Sequence, residues 1–312
     1  MLNIYKTKND ELVSLDNFEE GVWVNLVNPD EEELQRVGSS LSIDNEYLRA
    51  ALDEEERARI EHDNDQFLIL VDVPVIDSDG TTNLYSTLPL GIILLKDAIV
   101  TICLKENTII KDFEKKRVKS FLTHFKTRFV FQILYRNSAQ YLQYLKYIDK
   151  ASSRIENELH KSMKNKELIQ LLKLEKSLVY FSTSLKSNEI VLEKLLKHEG
   201  IKKYPDDTDL LEDVIIENKQ AIEMANIYSS ILTGIMGAYA SVISNNVSIV
   251  MKFLASVTIV MAIPTMVASF FGMNVTIPAG LGEYRYAFPL VLGIALLLSG
   301  VSAFILARKK MF

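Results

Sequence analysis

The sequence predicts an α/β domain followed by long helices, the last of which runs on into a two-helix C-terminal hairpin apolar enough to cross a membrane. Three observations carry this. Apolar runs of strand length crowd the first 120 residues, three- and four-residue apolar spacing dominates from Phe129 to Leu196, and two uncharged runs close the chain. Those runs are Phe253 to Gly272, 20 residues, and Tyr286 to Ala307, 22 residues. At ~1.5 Å per residue each reaches roughly 30 Å, the thickness of a hydrocarbon core.

Within the first 120 residues, Gly21 to Val27 reads as a buried strand. Asn28-Pro29-Asp30-Glu31-Glu32-Glu33 follows with a cap, a first-turn proline and the acids that favour a helix start. A second helix is expected from Asp44 to about Glu56. Gln66 to Val73, Leu88 to Leu95 and Ala98 to Leu104 are strand-length apolar runs. Turn signals at Asp77-Ser78-Asp79-Gly80 and Lys96-Asp97 separate them, so the sheet should be mostly hairpin-connected. Beyond Phe121, helices are predicted from Phe129 to about Met163 and from Leu168 to Leu196. Gly200 and Tyr204-Pro205-Asp206-Asp207-Thr208 break the chain before a third helix. That helix meets no strong stop between Leu210 and Pro264, so it should enter the first apolar run as one rod of roughly 90 Å at ~1.5 Å per residue. The organisation expected is therefore an α/β domain over 1–120, long helices over 121–205 and a stalk helix over 206–272 whose membrane part begins at about 253. An external loop over 273–285, a second span over 286–307 and a basic tail over 308–312 complete it.

Composition narrows the classes. Hydrophobic residues make up 48% of 312, but they concentrate at the C-terminal end, and 24% charged residues with Gly 12 and Pro 7 exclude a collagen-like or disordered chain. A single cysteine, Cys103, excludes an internal disulfide framework and a multi-thiolate metal site; lying in a strand run, it is expected to be inert core. The first ten residues hold no apolar stretch of secretory-signal length, so the chain is expected to start in the cytosol. Lys252 stands at the entrance of the first apolar run and Arg308, Lys309 and Lys310 follow the second, which predicts a two-span plasma-membrane protein with both termini cytoplasmic. Glu283 and Arg285 cancel and the tail supplies three positive charges, so the net −6 leaves −9 on the first 252 residues. A domain that acidic is not a nucleic-acid binder, and it would concentrate cations near the membrane.

No Walker loop, GxGxxG, GxSxG or plausible triad is present, so catalysis is not expected. The histidines His62, His124, His160 and His198 have no metal-ligand spacing and are read as surface or packed residues. Asp206, Asp207, Asp209, Glu212, Asp213 and Glu217 crowd the start of the third long helix. First-turn acids complement the helix dipole. Asp213 and Glu217 lie beyond that turn at i and i+4, a repulsive pair unless a cation faces it, either a hard divalent ion or a neighbouring subunit's lysine. Ser248, Ala255, Thr258, Ala262, Thr265 and Ser269 form a small, mildly polar stripe, broken by Met251. Such a stripe serves close helix packing or, around an axis of identical subunits, the lining of a pore.

The first apolar run ends in Phe270-Phe271-Gly272-Met273-Asn274. Glycine and asparagine there permit a sharp turn that leaves carbonyls and an amide exposed. This GMN tripeptide, the two C-terminal spans, the basic tail and the continuous stalk helix together resemble the CorA family of divalent-cation channels along the whole chain. The resemblance implies a homopentameric funnel with a central pore, Gly272, Met273 and Asn274 as its external selectivity ring, and Mg²⁺, with Co²⁺ and Ni²⁺, as the ion held through its water shell. It implies further that Thr265 and Ala262 line the pore below, with Leu254 and Met251 at a cytoplasmic constriction. Gating by intracellular Mg²⁺ bound between neighbouring domains would use Asp213. Arg49 and Ala50 replace the partner acids of many relatives, although Asp53, Glu54, Glu55 and Glu56 lie within a turn. Phe271 replaces a tyrosine, and Glu283 is the one acid of the outer loop. A zinc transporter of the ZntB type and a membrane-anchored, non-conducting scaffold or sensor are the alternative readings.

Overall fold

The computed structural model describes residues 1–78, 83–119, 121–162, 165–198, 201, 205–273 and 286–311. Within these the chain forms two compact units, residues 1–235 and 236–312.

Seven strands in the first unit form one sheet of order β2-β1-β3-β7-β6-β5-β4. They are β1 (Leu2–Lys8), β2 (Glu11–Leu15), β3 (Val22–Val27), β4 (Arg59–Asp63), β5 (Gln66–Ser78), β6 (Asn83–Leu94) and β7 (Ala98–Cys103). Sequential neighbours pair antiparallel, with Lys96-Asp97 turning β6 into β7, and β3 meets β7 in the one parallel pairing of the described sheet. The strands read from the apolar runs are present. β1, β2 and β4 add to them; their sequence signal is weak because Lys6, Lys8, Glu11, Arg59 and Glu61 dilute the alternation.

Both sheet faces are buried, which explains the unbroken apolar runs. Leu68 and Leu70 of β5 and Val100 and Ile102 of β7 face one core, shared with α1 (Glu31–Leu41) and α2 (Asn45–Ala50). Phe67, Ile69, Val71 and Val73 of β5 face the other. That core is shared with α3 (Thr108–Glu114), α4 (Lys126–Ser162), α5 (Asn165–Lys197) and the start of α6 (Pro205–Phe271). The single tryptophan, Trp23, is fully buried there and its indole N–H donates to Thr101 Oγ1 at 2.9 Å. Cys103 is buried with its thiol pushed up to about 12, chiefly by burial, which agrees with inert core.

One helix start and one helix end differ from expectation. Asp30, not Asn28, caps α1 through a reciprocal capping box with Glu33, which leaves Pro29 ahead of the cap rather than in the first turn. α2 stops at Ala50 instead of reaching Glu56, because Asp53 Oδ1 accepts the Glu55 N–H at 3.0 Å and this local turn competes with the helix. α6 begins at Pro205, a residue preorganised for the first helical position, and continues without a break to Phe271.

β4 begins at Arg59, opposite Leu70, so the outer edge of β5 is open beyond that residue. The amide of Asn188 on α5 fills that gap, accepting the Asp72 N–H at 2.9 Å and donating to the Asp72 carbonyl at 2.8 Å. Asn137 and Tyr141 of α4 donate to the same carbonyl at 2.9 and 3.1 Å. Three side chains thus satisfy backbone groups that a further strand would otherwise serve.

Candidate functional site

The second unit contains the membrane part of α6 and α7 (Ala287–Arg308), and both helices are long and apolar enough to cross a membrane. The less exposed residues of α6, Ser256, Val257, Val260, Ile263, Pro264 and Val267, recur at helical spacing on one face. Those of α7, among them Ala287, Val291, Ala295, Ser299 and Ala303, do the same. Ser256 is fully buried, and its hydroxyl is shared between the Lys252 carbonyl at 2.8 Å and the Met311 carbonyl at 3.2 Å, so these faces meet. Small residues on α7 allow the close approach. The Ala295/Ser299/Ala303 repeat on α7, legible in the sequence at four-residue spacing, marks this packing face.

The small-residue stripe occupies the other side of α6. Ser248, Met251, Leu254, Ala255, Thr258, Ala262, Thr265 and Ser269 are all exposed, and at ~100° per residue their mean direction lies about 180° from the face that meets α7. Packing of α6 on α7 therefore does not account for the stripe. Near its C-terminal end Ala262, Thr265, Met266, Ser269, Phe270 and Met273 line an open concavity of about 450 Å³.

Two of the stripe's four hydroxyls bond back to carbonyls of their own helix. Thr258 Oγ1 donates to the Leu254 carbonyl at 2.8 Å, and Thr265 Oγ1 to the Met261 carbonyl at 3.4 Å. In these two threonines the hydroxyl bonds back to its own helix, closely in Thr258 and loosely in Thr265, which leaves oxygen lone pairs free to accept from outside. Acceptors suit water molecules whose protons are polarised by a cation.

Gly272 and Met273 follow the last turn of α6, and both are exposed. The Gly272 N–H donates to the Ala268 carbonyl at 2.9 Å and the Ser269 carbonyl at 3.2 Å. Gly272 is not in the left-handed region, so positive φ is not what places glycine here; a Cβ would stand 3.3 Å from the Ala268 carbonyl oxygen. Asn274 and Glu283 lie outside the described residues. Lys252, Arg308, Lys309 and Lys310 are exposed, and the Arg308 guanidinium lies 5.3 Å from the centre of the Phe304 ring.

The candidate regulatory acids belong to the first unit. Asp213 is exposed and Glu217 half-buried, with no ion pair to either among the described residues. Asp53 is exposed, and its Oδ1 is engaged by the Glu55 N–H. Among the described residues no three His, Cys, Asp or Glu side chains converge, so the described part of one copy holds no carboxylate cage for Mg²⁺. Arg49, at the partner-acid position, is taken up by both carboxylate oxygens of Glu31, which holds its guanidinium above the ordinary value. Asp207, from the acidic cluster, is buried 4.0 Å from Arg128 and has a structural role.

A family model described as CorA-like Mg2+ transporter protein matches residues 18–309. The cobalt/magnesium transport protein CorA of Methanocaldococcus jannaschii is 28% identical over 263 residues, 81% of this chain and 80% of that protein. The complete structure of the CorA magnesium transporter from the same organism superposes with a TM-score of 0.87 at 24% identity, covering 100% of this chain and 99% of that one. The ZntB cytoplasmic domain from Vibrio parahaemolyticus reaches 0.59 at 11% identity, covering 78% of this chain and 96% of that one.

Proposed function

This chain belongs to the CorA-like Mg2+ transporter family, and from that premise we propose that it forms a homopentameric channel in the plasma membrane that admits Mg²⁺, and with it Co²⁺ and Ni²⁺, with both termini in the cytoplasm. The observation that carries this reading is the orientation of α6: its small, hydroxyl-bearing stripe faces directly away from α7 and presents acceptor oxygens. A face of that kind is spare in one chain and useful around an axis. Mg²⁺ gives up its water shell reluctantly, so a lining of neutral acceptors can pass it hydrated.

In this proposal Gly272, Met273 and Asn274 of each copy ring the outer mouth, with Glu283 near it as the one acid of the outer loop. Ser269, Thr265, Ala262, Thr258, Ala255 and Ser248 line the conduit, and Leu254 and Met251 narrow it toward the cytoplasm, where Lys252, Arg308, Lys309 and Lys310 form a basic ring. Regulation by internal Mg²⁺ would act between copies. Asp213 and Glu217 of one copy need acids from a neighbour, for which Asp53 is the candidate, because the described residues of one chain bring too few together.

The test is Mg²⁺ influx into liposomes containing the purified protein. Asn274→Ala should abolish influx or make it unselective, with the pentamer intact by mass in detergent. Unchanged flux and selectivity in that variant, or a monomeric or dimeric parent without flux, would overturn the proposal. Competition of Zn²⁺ against Mg²⁺ in the same vesicles identifies the preferred ion.

A further inference from the structure

The spacing of the histidines along the chain pairs none of them, yet folding brings two together. His62 stands on β4 directly opposite Phe67 of β5, and their rings stack with centroids 4.0 Å apart and planes 7° apart. His198 lies just past the last turn of α5, which ends at Lys197. Its ring centroid is 5.6 Å from that of His62 and 5.2 Å from that of Phe67, and its plane is nearly perpendicular to both. With the stacked rings only 4.0 Å apart, such similar distances put His198 beside the stack rather than above it. It therefore faces the rim of the His62 ring, and the rim is where an imidazole carries its nitrogens.

Two imidazoles sharing one metal ion obey a simple distance relation. With metal–nitrogen bonds of about 2.0–2.1 Å and roughly 1.1 Å more to each ring centre, tetrahedral to trigonal angles separate the centroids by about 5–5.5 Å. The 5.6 Å between His62 and His198 meets this within a small side-chain adjustment. His62 is exposed and His198 half-buried, so a solvated ion can reach both.

We propose that His62 and His198 form a binding site for a borderline divalent cation of the Zn²⁺, Ni²⁺ and Co²⁺ class, with water completing the coordination shell. Imidazole nitrogen suits these ions, whereas Mg²⁺ requires oxygen ligands and keeps its water, so the site discriminates against the hard cation. With two protein ligands it binds more weakly than a four-ligand structural site, and reversibly. The bound ion would tie the edge strand β4 to the C-terminal end of α5. The proposal does not depend on the pore reading.

The experiment is equilibrium dialysis of the purified full-length protein against Zn²⁺ in a large excess of Mg²⁺, which occupies sites for hard cations. One Zn²⁺ per chain is expected, lost in both His62→Phe and His198→Ala and retained in His124→Ala. His62→Phe keeps an aromatic ring stacked on Phe67 while deleting the nitrogens, so it separates ligation from packing. Zn²⁺ should also raise the thermal midpoint of the parent and leave that of His62→Phe unmoved. Parent-like Zn²⁺ binding in His62→Phe, no Zn²⁺ uptake beyond Mg²⁺ competition in the parent, or an equal midpoint shift in parent and variant would overturn the site.

Discussion

Replacing Asn188 by alanine removes the side chain that stands in for a strand along the open edge of β5. Two hydrogen bonds are lost, but their consequences differ. The Asp72 carbonyl keeps Asn137 Nδ2 at 2.9 Å and the Tyr141 hydroxyl at 3.1 Å, so it remains served. The Asp72 N–H has Asn188 Oδ1 as its acceptor and is left bare, at a cost of about 1–3 kcal/mol. Alanine's better helix propensity returns roughly 0.5 kcal/mol, and the small void left by a residue only 3% exposed offsets that, so the net loss should be about 2 kcal/mol. Asn137→Ala is the control. It removes one of three donors to the same carbonyl, and the Asn137 Oδ1 is itself buried without a partner, so about 1 kcal/mol or less is expected. The assay is denaturation followed by the fluorescence of Trp23, the single tryptophan, buried in the core that α4 and α5 share. For a unit of this size 2 kcal/mol corresponds to a fall of about 4–8 °C in midpoint. Equal losses in the two variants, or the larger loss in Asn137→Ala, would refute the argument that an unpaired N–H dominates.

Gly91→Ala should destabilise the same unit by about 1–3 kcal/mol, since the new Cβ would stand 2.8 Å from the Ala51 Cβ; denaturation by the same fluorescence checks it, and Ala51→Gly in the same chain should restore part of the loss. Cys103, with its thiol at about 12, is almost entirely protonated at pH 8, where thiolate would be the reactive form. Iodoacetamide should therefore leave the native protein unlabelled and modify it only in denaturant. Thr265→Val keeps the side chain's shape and deletes the outward acceptor, so Mg²⁺ influx should fall severalfold in intact pentamers; unchanged influx would assign the stripe to packing between copies. Mg²⁺ at millimolar levels should slow proteolysis of the stalk, and Asp213→Ala should weaken that protection. Equal cleavage with and without the ion would remove the sensor role.

The parts legible in the sequence are those with a one-dimensional signature. Strands β5 and β7 announce themselves because both sheet faces are covered, which makes their apolar residues contiguous. α6 was readable as one helix from the lack of a stop, and the spans from their uncharged length. β1, β2 and β4 were hidden because strands near a sheet edge carry charges, and α2 was overextended because Asp53 offers the backbone a turn that propensity does not register. The site was half legible. The stripe on α6 could be listed residue by residue, but a helical wheel has no absolute direction, and only the faces meeting at Ser256 and Ala295 show which side α7 covers.

Composition and periodicity on their own determined that this is a two-span chain with an acidic α/β domain, and the tripeptide at 272–274 indicated its family. Those properties depend on residues close together in sequence, where helix and strand geometry translate spacing directly into a face. Tertiary structure decided the rest: that Asn188 completes β5, that the hydroxyl stripe is turned away from its helical neighbour, and that His62 and His198 meet. Each of these joins residues from different elements, and burial of the shared core, not local spacing, brings such residues within reach of one another.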